Sequence, residues 1–293
     1  MSMQSQKKRE IDSVTGVETT GHVWDGIKEL NKPLPRWWVW TFYATIVWSI
    51  GYWIVYPAWP TMSGYTKGIW DYSQRRAVAK DVEAGRAAQA SFREKISAFP
   101  LGEIRRNEDL LRFALAAGGS AFQTNCAPCH GRAAQGAIGY PALNDDDWIW
   151  GGTIEEIHKT ILYGVRSGHA QSRSGQMPRY GLDKMLTDAE IDDAAEYVLS
   201  LTNKLTDAAG AARGAKIFKE QCAGCHGDDA KGKPTEGSLN LTDDIWLYGG
   251  GKAQIVESIR TGRGGQMPWW VDRLDAVTIK SLAVYVHSLG GGK

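Results

Sequence analysis

The chain has 293 residues, enough for two or three small domains. Lys and Arg total 34 and Asp and Glu total 33, so the formal net charge is +1, without the basic excess of nucleic-acid-binding proteins. Hydrophobic residues make up 43% of the chain, which is ordinary for a soluble protein, so any membrane-spanning part must be local. We therefore expect no nucleic-acid partner.

The first predicted element is an apolar segment, Trp37–Trp59, which contains no charged residue. About 20 residues of helix cross a bilayer core, so a run of this length spans it with some tilt. Trp and Tyr crowd both ends of the segment, as they do at membrane–water interfaces. We predict a single-pass transmembrane helix over residues 37–59, in contact with membrane lipid.

Two other interpretations of this segment are weaker. A cleaved signal peptide fits poorly, because the apolar run starts 36 residues into the chain, is long, and has no small-x-small cleavage site after it. A buried core helix is disfavoured by the length and by the lack of charge. Three basic residues lie on either side of the segment within a similar distance, so the positive-inside rule does not orient it.

Residues 1–36 form an N-terminal segment, and residues 60–106 form a linker after the apolar run. Within this linker the charged, Ala-rich stretch Asp71–Ser97 predicts an exposed helix, which Pro100 ends. A second helix is expected from about Asn107, whose side chain is suited to cap it. That helix leads into the first of two cysteine motifs.

All four cysteines of the chain lie in two pentapeptides of the form C-x-x-C-H, Cys126–His130 and Cys222–His226. This motif is typical of c-type haem attachment, in which both thiols form thioethers with the haem vinyl groups and the adjacent His is the proximal iron ligand. A zinc site is the main alternative for paired cysteines. We predict two covalently bound haem c groups. Their attachment residues are Cys126, Cys129, Cys222 and Cys225, and their proximal ligands are His130 and His226.

The sequence around the two motifs is repeated, which indicates a duplicated domain. A Gly lies eight residues before the first cysteine of each motif, and a Phe lies four residues before it. This spacing places the Gly and the Phe on one face of a helix, and a neighbouring helix can approach closely at the Gly. We predict one cytochrome c domain over residues 107–204 and a second over residues 205–293. The matched pairs are Gly118 and Gly214, Phe122 and Phe218, Trp148 and Trp246, Met177 and Met267, and Tyr197 and Tyr285.

Met177 and Met267 are the candidates for the sixth iron ligand, because each lies in the same Gly-Gln-Met-Pro context downstream of a C-x-x-C-H motif. A thioether ligand favours ferrous iron and raises the reduction potential of a haem. Each Met could instead pack in a core. In the first copy, His169 is a competitor that would give bis-His ligation, and Met185 is a weaker one. Whether each Met binds the iron of its own copy or of the other copy stays open.

A pattern that covers nearly the whole chain consists of the two haem motifs and three further blocks near the N-terminus. These blocks are Asp12–Gly26, Asn31–Trp38 and Tyr56–Pro60. With them the sequence resembles the dihaem CcoP/FixP subunit of cbb3-type cytochrome c oxidase. The haem motifs alone are generic, whereas the N-terminal block beside a Trp-rich span is typical of this family. The resemblance implies a mostly α-helical fold, with one transmembrane helix followed by two tandem class I cytochrome c domains.

The resemblance also implies a role and a location. In the family, this subunit accepts electrons from a donor cytochrome c or the bc1 complex and passes them to a monohaem subunit. A separate catalytic subunit reduces oxygen and pumps protons, so the chain itself is expected to be a non-catalytic electron-transfer subunit of the oxidoreductase complex. The haem domains are expected in the periplasm of a bacterial inner membrane and the N-terminus in the cytoplasm. The span has no Asp, Glu, Lys, Arg or His, so we expect no proton channel in it.

Two alternative functions of the chain are considered besides the oxidase subunit. The first is a free-standing, membrane-anchored dihaem carrier that serves several oxidases or reductases. The second is a dihaem peroxidase, which would need one iron with an open or displaceable sixth position. The two Met-Pro motifs argue against the peroxidase.

Overall fold

The computed structural model describes residues 10–290. They fall into two units, and the boundary between them in the sequence lies between Arg86 and Ala87. Among these residues the strands are confined to two small antiparallel sheets in the first unit, and helices make up most of the remainder. The mostly α-helical fold class is therefore confirmed.

The first unit begins with a hairpin of β1 (Thr19–Trp24) and β2 (Ile27–Leu30). Asp25 and Gly26 form its two-residue turn, both with positive φ, 48° and 86°. This conformation matches the twist of antiparallel strands, and Asp-Gly is among the residue pairs that adopt it most readily. A second, shorter hairpin pairs β3 (Pro60–Thr61) with β4 (Gly64–Tyr65).

Helix α1 (Arg36–Val55) lies between the two hairpins, and none of its own residues is buried. It is the single helix within residues 10–290 that is long and apolar enough to cross a membrane. The helix ends four residues before Trp59, the predicted limit, because Tyr56 is extended and Pro57 follows it. An apolar helix whose residues are not buried by the described part of the chain suits a lipid environment.

The C-terminal end of α1 is closed by the chain that returns after the second hairpin. The backbone N–H groups of Ile69 and Trp70 donate to the carbonyls of Ile54 and Val55, at 3.0 and 3.2 Å. Gly68 permits this approach, because its φ is +72° and a Cβ there would lie 2.2 Å from the Val55 carbonyl oxygen. The last two carbonyls of the helix are thus satisfied by the protein itself.

The linker forms three helices, α2 (Gln74–Ala88), α3 (Ala90–Ala98) and α4 (Leu101–Arg106). Where the sequence predicted one exposed helix, the structure has two, and Ile96 of α3 is completely buried. Ile104 of α4 is buried as well. The last two linker helices are therefore part of the helical core that follows.

The two sequence copies fold into the same series of helices. Asn107 caps the first of them as predicted, by accepting a hydrogen bond from the Leu110 N–H at 3.1 Å. The helices of the first copy are α5 (Glu108–Asn125), α6 (Ala127–His130), α7 (Ile154–Tyr163) and α8 (Asp188–Ser200). Those of the second are α9 (Ala208–Ile217), extended by a π-helical turn, α10 (Ala223–His226), α11 (Lys252–Thr261) and α12 (Ala276–Ser288).

Helix packing in the core mixes the two copies. Helix α12, which ends the second copy, packs against α5 and α7 of the first copy and also contacts α3 and α4. Helix α8, which ends the first copy, packs against α9 and α11 of the second copy. The predicted boundary at residues 204 and 205 separates the copies in sequence, but the helices that pack together come from both sides of it.

Glycine makes both of these helix crossings close. A Cβ on Gly118 of α5 would lie 2.2 Å from the Ser281 carbonyl oxygen of α12. A Cβ on Gly214 of α9 would lie 2.0 Å from the Asp193 carbonyl oxygen of α8. The predicted close approach at each Gly is therefore confirmed, and in both cases the approaching helix belongs to the other copy.

An aromatic pair accompanies each crossing. The rings of Phe122 and Tyr285 are 5.4 Å apart, and those of Phe218 and Tyr197 are 5.0 Å apart, in similarly tilted arrangements. Phe122 and Phe218 are almost completely buried. The repeat thus produces two equivalent helix interfaces, each with a Gly and a Phe from one copy and a Tyr from the other.

Candidate functional site

Each C-x-x-C-H motif lies on a single turn of helix, α6 or α10, directly after a longer helix. The His is followed by a glycine with positive φ, 80° at Gly131 and 81° at Gly227, and such a residue ends a helix without a Cβ clash. The first cysteine of each motif is half-buried and the second is exposed. Burial, with a smaller contribution from the neighbouring thiol, raises the pKa of Cys126 and of Cys222 to about 11.

Each motif histidine is oriented by one backbone carbonyl. The Nδ1 atom of His130 lies 2.9 Å from the Pro141 oxygen, and that of His226 lies 2.9 Å from the Leu239 oxygen. A carbonyl only accepts hydrogen bonds, so Nδ1 carries the proton and Nε2 keeps its lone pair. Burial lowers the pKa of both histidines, partly offset by these hydrogen bonds, which favours the neutral imidazole that a metal requires.

Two buried indole N–H groups have no acceptor among residues 10–290, those of Trp148 and Trp246. They occupy equivalent positions in the two copies. A buried donor without an acceptor is rare and calls for a partner from outside the chain. A haem carries propionates, which are strong acceptors, so the donor set in each copy fits this group: two thiols, an oriented imidazole and an unused indole N–H.

Each methionine packs against a cluster that contains residues of both copies. Met267 packs against the cluster that contains Phe122 and Ile157, together with Cys126 and Trp148 of the first copy. Met177 packs against the second cluster. The main members of that cluster are Ile191, Ala194, Ala195, Val198 and Leu199 of α8 and Ile255 and Ile259 of α11, with Leu241 and Trp246 beside them.

The two Gly-Gln-Met-Pro loops are tied to each other by a single arginine. The guanidinium of Arg166 donates to the Gly265 carbonyl at 2.7 Å and to the Gly175 carbonyl at 2.5 Å, each two residues before a methionine. Burial lowers the pKa of Arg166. Counted from the glycine that ends α7 or α11, the position of Arg166 is occupied by Gly264 in the second copy, so no repeated motif marks this arginine.

His169 and Met185, the two other candidate iron ligands in the first copy, do not lie in the clusters that contain Met177 and Met267. The His169 ring stacks on Tyr163 at 4.9 Å, and its Nδ1 accepts a hydrogen bond from the Gln171 N–H at 3.0 Å. It also lies 6.3 Å from Trp269, which follows Met267 by two residues. The Met185 side chain is 52% exposed, so it is not packed into either core.

Two family models match three parts of the chain. The model for the N-terminal domain of cytochrome oxidase-cbb3, FixP, matches residues 16–63, which include α1. The model for cytochrome c oxidase, cbb3-type, subunit III, matches twice, over residues 113–198 and 209–286. The two matches confirm two cytochrome c domains in tandem in the sequence.

Individual relatives are similar over nearly their full length. A cbb3-type cytochrome c oxidase subunit FixP from Bradyrhizobium sp. strain ORS 278 is 55% identical over 97% of this chain and 98% of its own. The FixP subunit of Azorhizobium caulinodans is 51% identical over 97% and 96% of the two chains. The CcoP subunit of Azospirillum brasilense is 48% identical over 98% and 99%.

Proposed function

Because the chain belongs to the FixP/CcoP family of cbb3-type cytochrome c oxidase subunits, we propose that it is the membrane-anchored, dihaem electron-entry subunit of such an oxidase. It accepts electrons from a donor cytochrome c or the bc1 complex and passes them to a monohaem subunit. The catalytic subunit, a separate chain, reduces oxygen and pumps protons. Membership of the family means that the chain is a subunit of a cbb3-type cytochrome c oxidase. Its cytochrome c domains imply covalently bound haem c.

The observation that carries this proposal is the duplicated site. In both copies a C-x-x-C-H turn holds its histidine against a backbone carbonyl at 2.9 Å, and a buried Trp N–H points to an external acceptor. We assign two haem c groups, attached through Cys126 and Cys129 and through Cys222 and Cys225. Bound there, each haem supplies the reversible one-electron chemistry of its iron.

The protein side chains have limited tasks in this function. His130 and His226 would bind the haem irons through Nε2, while Met177 and Met267 would supply thioethers that favour the ferrous state and raise the reduction potential. The apolar clusters around them exclude water and keep the ligand geometry rigid. Electron transfer between fixed centres needs no side chain as acid, base or nucleophile.

Helix α1 supports a single membrane anchor. Its apolar side chains are exposed on every side, and aromatic rings gather at its C-terminal end, where Trp53 and Trp59 pack edge to face at 4.8 Å and Tyr56 and Trp70 at 5.0 Å. We propose that the N-terminus lies in the cytoplasm of a bacterium and that the haem domains lie in the periplasm, where haem is attached to such motifs.

The experiment is purification of the complex from membranes of a strain whose own copy of this subunit has been deleted. We expect the tagged chain to bring down the catalytic and monohaem subunits and to contain two haem c per chain by pyridine haemochrome analysis. Oxygen uptake driven by reduced cytochrome c should be lost when Cys126, Cys129, Cys222 and Cys225 are all replaced by Ala.

Two controls make the outcome specific. Oxygen uptake by the catalytic subunit with a small artificial electron donor should survive in any variant that still assembles. Recovery of the chain without other subunits would favour the free-standing carrier instead. Unchanged cytochrome c-driven uptake in the variant that lacks both haems would overturn the proposal.

A further inference from the structure

We infer that one arginine in each copy binds the propionates of that copy's haem. In the first copy it is Arg173, for the haem attached at Cys126–His130. In the second copy it is Arg263, for the haem attached at Cys222–His226. This inference rests on the proposed haem sites and adds the cation that the carboxylates of each haem would meet.

The first observation is a buried donor of Arg173 that has no acceptor. Its Nε–H is the third buried side-chain donor without a partner among residues 10–290, besides the indole N–H groups of Trp148 and Trp246. A terminal nitrogen of the same guanidinium donates to the Glu156 carbonyl oxygen, at 3.4 Å. A buried donor of this kind calls for an acceptor from outside the chain. A carboxylate suits a guanidinium well, because the two planar groups can form two parallel hydrogen bonds.

The described chain offers no carboxylate to this cation. The charge of Glu156 acts on Arg173, but the Glu156 carboxylate already accepts from the N–H and the hydroxyl of Thr153, at 3.2 and 2.8 Å. Neither Arg173 nor Arg263 forms an ion pair within residues 10–290. Burial lowers the pKa of Arg173, against the smaller opposing effect of Glu156. A bound anion would therefore stabilise the charged guanidinium.

The two arginines occupy equivalent places in the repeat. Each lies four residues before the methionine of its Gly-Gln-Met-Pro loop. The Arg173 guanidinium lies over the Trp150 ring, 5.5 Å from its centre, and the Arg263 guanidinium lies over the Tyr248 ring, at 5.4 Å. Each ring belongs to the residue two positions after a Trp whose N–H has no acceptor. The same cation on the same kind of aromatic support in both copies points to a ligand that both copies bind.

Each of these aromatic rings lies against a glycine of the other copy. A Cβ on Gly237 would lie 2.1 Å from the Trp150 ring, and one on Gly139 would lie 3.5 Å from the Tyr248 ring. Both glycines have positive φ, 66° and 84°, and each lies two residues before the residue whose carbonyl orients a motif histidine. The rings are therefore held by backbone near the proximal ligands, and the guanidiniums over them are positioned in advance of a ligand.

In the first copy, the indole and the guanidinium adjoin one short segment of chain. The Trp148 ring lies so close to Gly152 that a Cβ there would be 2.6 Å from it. Arg173 contacts Trp150 and the Glu156 carbonyl, which lie on either side of this glycine in the sequence. Trp148 also packs on the first cluster, as does the first cysteine of the motif. Two buried donors without acceptors thus lie beside the first motif and fit the carboxylates of one haem.

The experiment measures the reduction potential of each haem in the full-length chain, with Arg173→Met or Arg263→Met. To resolve the two haems, Cys126→Ala leaves the first haem with one thioether and one free vinyl group, whose conjugation shifts its reduced α band to longer wavelength. Cys222→Ala is the reciprocal label and provides the same test if the first label impairs maturation. The propionate bending modes in the resonance Raman spectrum report the hydrogen bonds of the propionates.

With the label at Cys126, we expect Arg173→Met to lower the potential of the labelled haem alone and Arg263→Met that of the unlabelled haem alone. A nearby cation favours the ferrous state, which carries one positive charge less than the ferric state. Without the cation, a proton should bind to the propionate at a higher pH than in the native chain. The loss of potential should therefore be largest at high pH and shrink as the pH falls.

Two further variants separate charge from structure. Arg173→Lys keeps the charge and should restore most of the potential, with propionate modes between those of the native chain and Arg173→Met. Arg106→Met is the matched control, because Arg106 is exposed on α4, and it should move neither potential nor any propionate mode.

Unchanged potentials and propionate modes in both Met variants would overturn the inference and leave the dihaem function intact. A change at the haem of the other copy would overturn it as well. So would a loss of potential that Arg173→Lys fails to restore while the propionate modes stay native, because that pattern indicates a structural role alone. Failure of the proposed function is distinguished separately, since it would appear as fewer than two haem c per native chain.

Discussion

Val165 and Met267 exchange a pair of backbone hydrogen bonds, from the N–H of each to the carbonyl oxygen of the other, at 3.0 and 2.9 Å. The two residues are about 100 positions apart and belong to different copies of the repeat. Because Met267 is a proposed iron ligand, this pairing fixes a ligand loop of the second copy on the first. The two haem sites are then parts of one interlocked body, and the predictions below follow from that arrangement.

The glycines at the helix crossings should be intolerant of even one methyl group. Gly118→Ala and Gly214→Ala place a Cβ within 2.2 Å of a backbone oxygen, so the helices must separate, at a cost of about 1–3 kcal/mol or more. Gly102→Ala is the control, since no described atom lies within 4 Å of its Cβ and Ala is the better helix former. Equal denaturant midpoints for Gly118→Ala and Gly102→Ala would contradict the close crossing.

Glu196 should hold α8 in place through its ion pair and three hydrogen bonds. Its carboxylate accepts from Thr206 N–H at 2.7 Å and from Asp207 N–H at 3.0 Å, in addition to Lys252 and the Thr206 hydroxyl. Lys252 is 36% exposed and keeps its pair with Asp192 at 2.8 Å when Glu196 is removed, so the cost is that of the lost acceptor for the Thr206 and Asp207 N–H groups, about 1–3 kcal/mol. We expect Glu196→Ala to lower the free energy of unfolding by such an amount, and Lys204→Ala, in an exposed pair with Asp244, to change it little.

The same carboxylate predicts a pH dependence. Burial alone would raise the pKa of Glu196, but the hydrogen bonds from Lys252, Thr206 and Asp207 outweigh it and bring the pKa to about 2, against 4.5 in an unfolded chain. A depressed pKa gives stability that is present above about pH 4.5 and is lost as the pH falls towards 2. Unfolding curves over this range should converge for the native chain and Glu196→Gln. A constant difference between them would count against the prediction.

Arg166 should position both methionine loops at once. Arg166→Met removes the donors to Gly175 and Gly265, so we expect both Met–iron absorption signatures to weaken and both potentials to fall. Replacement of a single methionine should alter one haem alone. Arg112→Met, which breaks an exposed pair with Glu108, is the control. A change confined to one haem in Arg166→Met would show that the arginine does not link the loops.

The indole N–H groups of Trp148 and Trp246, which have no acceptor among the described residues, should each affect the reduction potential of one haem. Trp148→Phe and Trp246→Phe keep the ring and remove the N–H, so a propionate loses a donor and its carboxylate becomes less stabilised. We expect the pH dependence of the potential to shift for one haem in each variant, and for neither haem in Trp24→Phe, whose side chain is 68% exposed. Unchanged potentials in both indole variants would mean that these N–H groups do not meet a propionate.

Much of the fold could be predicted from the sequence because its signals are local. The apolar run predicted α1, Asn107 predicted a helix start, and the spacing of Gly118 and Phe122 predicted a close helix crossing. The two C-x-x-C-H motifs predict two haem sites, and the structure places each motif on one helical turn with its histidine held by a backbone carbonyl. In all of these cases the residues that carry the signal are adjacent along the chain or lie on one helix face.

The exchange of helices could not be predicted in this way. The repeat gives α8 and α12 the same length, a side-chain N-cap and the same Tyr position, so both fit either core by pattern alone. The two helices differ in one buried residue, the charged Glu196 of α8 and the apolar Val284 of α12. This difference predicts the packing only once the neighbours are known, which are Lys252 beside Glu196 and Ile154 in the same cluster as Val284. The carbonyls that orient His130 and His226 carry no side-chain signal at all.

The most direct measurement is a cut between the two copies. A protease site inserted between Lys204 and Leu205 is cleaved in the full-length chain, purified in detergent without other subunits, and the product is passed through gel filtration. We predict that the fragment with α1 and the fragment that begins at Leu205 elute together, each with its own covalent haem, because α8 and α12 lie in each other's cores. Release of the second fragment as a separate, folded haem protein would contradict the account.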